Sequence, residues 1–152
     1  MDTRNRKPEP KETWRTLTEF ATPSAPGNER RVIEQVVDAV RELNLPETRI
    51  ERLKTAVSEA AMNAMEHGNH YKPELPVEVR VLVSNRSLEV DITDQGGAGM
   101  IPEDEAPDLA AKLEGEQSPR GWGLFLIKKM VDQIYVITDR NHHTIELILY
   151  LN

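Results

Sequence analysis

Cysteine is absent from all 152 residues. That excludes a disulfide framework, a thiolate zinc site and thiol-based catalysis, and it fits a cytoplasmic protein. No uninterrupted apolar stretch approaches the roughly 18 residues needed to cross a bilayer, and Met1 to Lys11 is charged where a signal peptide would be apolar. Membrane association is therefore not expected. Basic residues form no run, and the formal net charge is −7 with a pI near 5.2, so direct nucleic-acid binding is not expected either. A protein partner or a metal-bound nucleotide suits this charge better. No internal repeat is present, and the length suits one domain with one sizeable core.

The opening dozen residues, MDTRNRKPEPKE, are polar, hold two prolines and lack periodicity, so residues 1–12 are read as a mobile arm ahead of a domain spanning 13–152. Trp14, Thr16, Thr18 and Phe20 alternate with Arg15, Leu17 and Glu19, which predicts a half-buried strand ending at Thr22-Pro23. Val32, Ile33, Val36, Val37, Val40 and Leu43 recur at helical spacing, and Asn44-Leu45-Pro46 ends that helix before Pro46 and Glu47 open a second one reaching His67, with Gly68 as its stop. From Val77 the period falls to two. Val77 to Val83 and Leu88 to Ile92 predict an antiparallel hairpin about Ser84 to Ser87, and its second strand delivers Asp94. Gln95 to Arg120 carries four glycines and three prolines and is read as a long mobile loop, with a short helix at 108–113. Gly121 to Asp132 returns to helical spacing, and Ile134 to Thr138 and Thr144 to Leu151 give two closing strands. This order predicts an α+β two-layer sandwich, with helices on one face of a mostly antiparallel, mixed sheet.

Three segments carry chemistry. Glu59, Asn63 and His67 recur every four residues along the second helix, beside an apolar face of Ile50, Leu53, Val57, Ala61 and Ala64. That spacing describes either the rim of a site able to hold a hydrated cation and a phosphate tail or simply a solvated helix flank. Asp94-Gln95-Gly96-Gly97-Ala98-Gly99 follows a strand directly. A buried aspartate there accepts a hydrogen bond from an exocyclic amine such as adenine's, or caps its own backbone in a tight loop. Arg120-Gly121-Trp122-Gly123-Leu124 opens a helix whose free N–H groups attract phosphate, or else forms a hinge beside a surface arginine.

Taken in order, E-x-x-x-N-x-x-x-H-G, D-x-G-G and R-G-x-G-L before an amphipathic helix resemble the GHKL (Bergerat) ATP-binding superfamily of gyrase, histidine kinases, heat-shock chaperones and mismatch-repair ATPases. Residues 23–30 (PSAPGNER), 53–60 (LKTAVSEA) and 120–127 (RGWGLFLI) narrow the likeness. They resemble the small bacterial anti-sigma factor serine/threonine kinases, from about Glu19 to the C-terminus. The resemblance implies ATP and Mg²⁺ as cofactors, with Asn63 holding the metal and Glu59 as general base toward a substrate serine. It implies that Asp94 reads the adenine amine and that Gly96, Gly97 and Gly99 shape the pocket and lid. Arg120, Gly121, Gly123 and Leu124 would enclose the phosphates, with Arg120 offsetting γ-phosphate charge, while His67 fits either a pocket wall or, the favoured reading, a structural hydrogen bond. It further implies transcription regulation by partner switching, in which a sigma factor is sequestered and a STAS-domain anti-sigma factor antagonist is phosphorylated. The strand bearing Trp14 and Phe20 offers an edge for a homodimer. A non-catalytic, nucleotide-gated module that sequesters a sigma factor or other regulator is the alternative. The chain departs from the family at Ala98, where a second glycine is usual, and lacks the V-A-I-K, H-R-D and D-F-G signatures of the other protein-kinase class.

Overall fold

The computed structural model describes residues 13–96, 119–139 and 141–151. The predicted arm at 1–12, most of the predicted loop and its short helix lie outside them. Strand β1 runs Arg15–Thr22, helix α1 Glu29–Ala39 and helix α2 Glu47–Asn63, and the hairpin strands are β2 Val77–Val83 and β3 Ser87–Asp94. Helix α3, Pro119–Met130, and strands β4 Gln133–Thr138 and β5 His143–Tyr150 complete the chain. The sheet order is β1-β2-β3-β5-β4. Every neighbouring pair among the described residues is antiparallel, which bears out the mostly antiparallel sheet expected from the sequence but supplies no parallel pair to make it mixed.

Local chemistry sets the boundaries. Gly27 adopts φ 93, a left-handed geometry that suits glycine, and Asn28 Nδ2 donates to Pro23 O at 2.8 Å, closing the turn into α1. A short 3₁₀ turn at Arg41–Leu43 follows α1 and ends on Asn44 at φ 54, the non-glycine type that best tolerates that region. Pro46 stands immediately ahead of α2, where its missing N–H costs nothing.

The core is one layer of aliphatic side chains. Val32, Val36 and Val40, together with Leu53, Ala56, Val57, Ala60 and Ala61 from α2, meet the inner sheet face of Val77, Val79, Val81, Leu88, Val90, Ile92 and Leu147. Burying each Val or Leu contributes about 1.5–3 kcal/mol. The three small residues Ala56, Ala60 and Ala61 are buried and leave that face of α2 little side-chain bulk. It can therefore lie close to its neighbours, and it packs against both α1 and α3.

β1 departs from the predicted alternation. Its register against β2 shifts between Thr16 and Thr18. One extra residue there changes the phase, so Leu17, expected on the outward side with Arg15 and Glu19, packs against the core along with Phe20. β1 and β4 are the two edges, and β3 lies at the centre. The C-terminal end of this central strand, where Asp94 sits, is thereby enclosed on both sides.

Candidate functional site

The site begins where α2 stops being an α-helix. After Asn63 the chain continues as a π turn over Ala64–Gly68, with Asn69 N donating to Ala64 O, five residues back, at 2.9 Å. A π turn carries more residues per turn than an α-helix. The regular spacing of four therefore holds from Glu59 to Asn63 but not on to His67, which rotates away from the expected stripe. Glu59 and Asn63 are half-buried, and burial pushes the Glu59 carboxyl above its ordinary range. His67 is half-buried, with Nε2 3.7 Å from Glu66 Oε1.

Gly68 ends the helical run as expected, but not as a left-handed cap, because Gly27 holds the positive φ among the described glycines. Its role is clearance. A Cβ at Gly68 would lie 2.2 Å from Asp94 Cγ and 2.3 Å from Asp94 Oδ2, and one at Gly96 would lie 2.0 Å from Gly68 O. The end of the π turn and the end of β3 thus interlock through two residues that lack side chains. The close approach that Gly96 permits is to protein backbone, where the sequence suggested approach to a ligand.

Asp94 is only 6% exposed. Its Oδ1 accepts from Gly96 N at 3.0 Å, which is the backbone cap considered above, and lies 3.0 Å from His143 Nδ1. Burial dominates and raises the carboxyl above its usual range, while the Gly96 N–H and the nearby His143 and His142 pull it down. His143, 2% exposed, pairs with Asp94 across β3 and β5.

Asn69 ties the surrounding segments together. Fully buried, its Nδ2 donates to Leu75 O at 2.8 Å, Ser24 Oγ at 3.0 Å and Pro76 O at 3.2 Å, while its Oδ1 accepts from Gln95 N at 2.8 Å. One amide therefore joins the turn before α1, the approach to β2 and the residue after Asp94. His70 and Tyr71 follow in left-handed geometry, at φ 53 and 52, a strain offset in part by Tyr71 N donating to Met65 O at 2.7 Å.

Arg120, Gly121, Gly123 and Leu124 lie in the first turns of α3, which begins at Pro119, a residue suited to a first helical position. Gly97 and Gly99 lie outside the described residues. The structure thus brings Asp94 and Gly96 against Gly68, at the end of the π turn that follows Glu59 and Asn63, and adds Gly68, Asn69 and His143, which sequence reasoning did not assign to the site. His143 could be found only by predicting the β3–β5 register, since the closing strand was expected to start one residue later.

This arrangement has known counterparts. The profile of the Histidine kinase-like ATPase domain matches residues 22–149. The chain belongs to the histidine kinase-like ATPase family. Among the proteins it is similar to, some are named Anti-sigma F factor and others Serine-protein kinase RsbW. The chain is 30% identical to an Anti-sigma F factor of Oceanobacillus iheyensis over 120 residues, spanning 78% of this chain and 81% of that protein. It is 33% identical to the Serine-protein kinase RsbW of Bacillus velezensis over 106 residues, spanning 68% of this chain and 66% of that protein. Two solved structures share the fold. One contains the RsbU and RsbW domains of a Mycobacterium tuberculosis protein, with TM-score 0.60, 16% identity, 87% of this chain covered and 32% of that one. The other is the SiaB–SiaC complex of Pseudomonas aeruginosa, with TM-score 0.58, 11% identity, 89% of this chain covered and 90% of that one. Among the described residues, no helix of this family member is long and apolar enough to cross a membrane.

Proposed function

We propose that this chain is an ATP- and Mg²⁺-dependent serine/threonine protein kinase that acts as an anti-sigma factor and phosphorylates a STAS-domain antagonist. The observation that carries the reading is Glu59 one helical turn before Asn63 on α2, both half-buried, with the π turn that follows them meeting Asp94 at Gly68. The donor set fits the ligands. Asn63 offers a neutral, hard amide oxygen of the kind Mg²⁺ accepts while keeping several waters, and Asp94 offers a buried carboxylate to an exocyclic amine. When bound, ATP supplies the phosphoryl group and Mg²⁺ the charge that offsets its oxygens.

Each residue then has one task. Asn63 Oδ1 holds the metal, and Asp94 accepts from the base. Gly96, Gly97 and Gly99 are assigned to the base pocket and lid, and Arg120, Gly121, Gly123 and Leu124, in the first turns of α3, to the phosphates, which a helix N-terminus attracts. Glu59 accepts the hydroxyl proton of the acceptor serine. Its upward shift by burial moves it toward the range in which a carboxylate is an effective base near neutral pH. The name Anti-sigma F factor supports the anti-sigma role, with a sigma factor as the second partner, and the name Serine-protein kinase RsbW supports the kinase role.

The test is phosphotransfer to the purified antagonist. Glu59→Ala is expected to cut the rate at least a hundredfold with ATP binding retained, and Asn63→Ala to abolish Mg²⁺-dependent binding. Unchanged phosphotransfer in Glu59→Ala would overturn the assignment of the base. ATP binding by the wild type with no phosphotransfer would leave the non-catalytic, nucleotide-gated alternative.

A further inference from the structure

We propose that His143 is a positioning residue for base recognition: its ring fixes the Asp94 carboxylate in one orientation as a hydrogen-bond acceptor, and so sets a preference for a 6-amino over a 6-oxo purine. The inference rests on the reading of Asp94 as the group that contacts the base.

The geometry runs through both carboxylate oxygens. Gly96 N and His143 Nδ1 converge on Asp94 Oδ1, each at 3.0 Å. Oδ2 lies over Gly68, 2.3 Å from where a Cβ would stand. Two partners on one oxygen and a glycine beneath the other allow the short side chain a single orientation, with Oδ2 as the oxygen left for a ligand. Both partners of the pair are buried, at 2% and 6% exposure, so neither is free to exchange its contact for water.

Chemistry follows from the hydrogen positions. A carboxylate only accepts, so Nδ1 must carry the hydrogen in this contact. In the neutral ring Nε2 is then a lone pair, and that atom is buried without a hydrogen-bond partner among the described residues. An ionised Asp94 matches the 6-amino group of adenine, a donor, and repels the 6-oxo group of guanine, an acceptor. A protonated Asp94 could serve either. Burial favours that protonated form, and His143 opposes it. Removing the ring should therefore both free the carboxyl and blunt discrimination between the two bases.

Calorimetric titration of the full chain with ATP and with GTP, each with Mg²⁺, tests this on wild type, His143→Phe and His143→Asn. The phenyl ring keeps the volume and removes both nitrogens, and the asparagine restores a donor. We expect His143→Phe to bind ATP roughly tenfold more weakly, with GTP affinity little changed and the ATP-to-GTP ratio falling to match. His143→Asn should recover most of the ratio. A purely structural role would weaken both nucleotides alike, so a parallel loss, or an unaltered ratio in a folded variant, overturns the proposal. Should the phenylalanine variant fail to fold, ring-nitrogen NMR of the wild type decides. A hydrogen on His143 Nδ1 and a ring-nitrogen shift on adding ATP support the proposal, and an Nε2-bound hydrogen or unmoved ring signals overturn it. Wild type that binds neither nucleotide would sink the Asp94 reading and this inference together, whereas normal ATP binding with an unaltered ratio in the variants would sink only the role of His143.

Discussion

β3 buries two aspartates equally, Asp91 and Asp94 at 6% exposure each, and they sit in opposite surroundings. Asp91 lies on the outer face of the sheet, where its carboxylate and those of Glu89 and Glu146 come within 4.8 Å of one another and Arg80 Nη2 lies 3.5 Å from its Oδ2. Asp94 stands three residues on, at the strand's end, held by a backbone N–H and a histidine above a glycine. Burial alone therefore does not mark a site. What separates the two is what surrounds the carboxylate: other charges in one case, and hydrogen-bond donors with room left by missing side chains in the other.

The largest expected effect exploits that contrast. Asp94→Asn should weaken ATP binding roughly a hundredfold, about 3 kcal/mol, because an amide nitrogen can replace the accepting oxygen. Stability should change little, since the substitution also removes a buried charge. Asp91→Asn should leave ATP affinity within about threefold. Calorimetry on the two variants side by side checks the pair.

Steric clearance comes next. Gly68→Ala would drive a methyl group to 2.2 Å from Asp94 Cγ, and Asp94 cannot yield without losing its contacts to His143 and Gly96. About 2 kcal/mol of stability should be lost, read from urea unfolding. Gly27→Ala meets nothing within 4 Å and carries only the cost of its positive φ, about 1 kcal/mol.

The pH response is smaller. The Asp94 carboxyl is raised in the folded state, so the native protein binds more protons there than the unfolded chain does. Stability should therefore fall as pH rises from the ordinary aspartate value, about 3.9, through the raised native one. Asp139 is shifted downward by N–H donors from Asn141 and His142 and contributes in the opposite sense, losing its stabilisation as pH falls through its native value. Subtracting the unfolding profile of Asp94→Asn from that of the wild type isolates the Asp94 slope. The smallest effect belongs to the outer face. Arg80→Ala should cost at most about 1 kcal/mol, because the half-exposed guanidinium is partly screened from Asp91. Its effect on ATP affinity should be negligible in the same titration.

How much of this was legible in sequence follows the range of each interaction. The β2–β3 hairpin was readable from the period of two in Val77 to Val83 and Leu88 to Ile92, and α2 from its apolar stripe, because both patterns are local. Asp94 was readable as the end of a predicted strand before glycines. The π turn was not, since the hydrogen bond from Asn69 to Ala64 has no signature in side-chain spacing. The β1 bulge was hidden because the alternation of Thr16 and Thr18 looked regular until the partner strand set its register. Asn69 and His143 were missed for one shared reason. Ser24 lies 45 residues before Asn69 and Gln95 26 after it, and Asp94 lies 49 residues from His143, so only the assembled fold brings these groups together.

The central claim is that Asp94, and not burial of acid on β3 in general, reads the nucleotide. Calorimetric titration with ATP and Mg²⁺ of wild type, Asp94→Asn and Asp91→Asn tests it most directly. Binding by the wild type and, within about threefold, by Asp91→Asn, with binding by Asp94→Asn weaker by roughly a hundredfold, is the predicted result. ATP binding by Asp94→Asn at wild-type affinity, or none by the wild type, would contradict it.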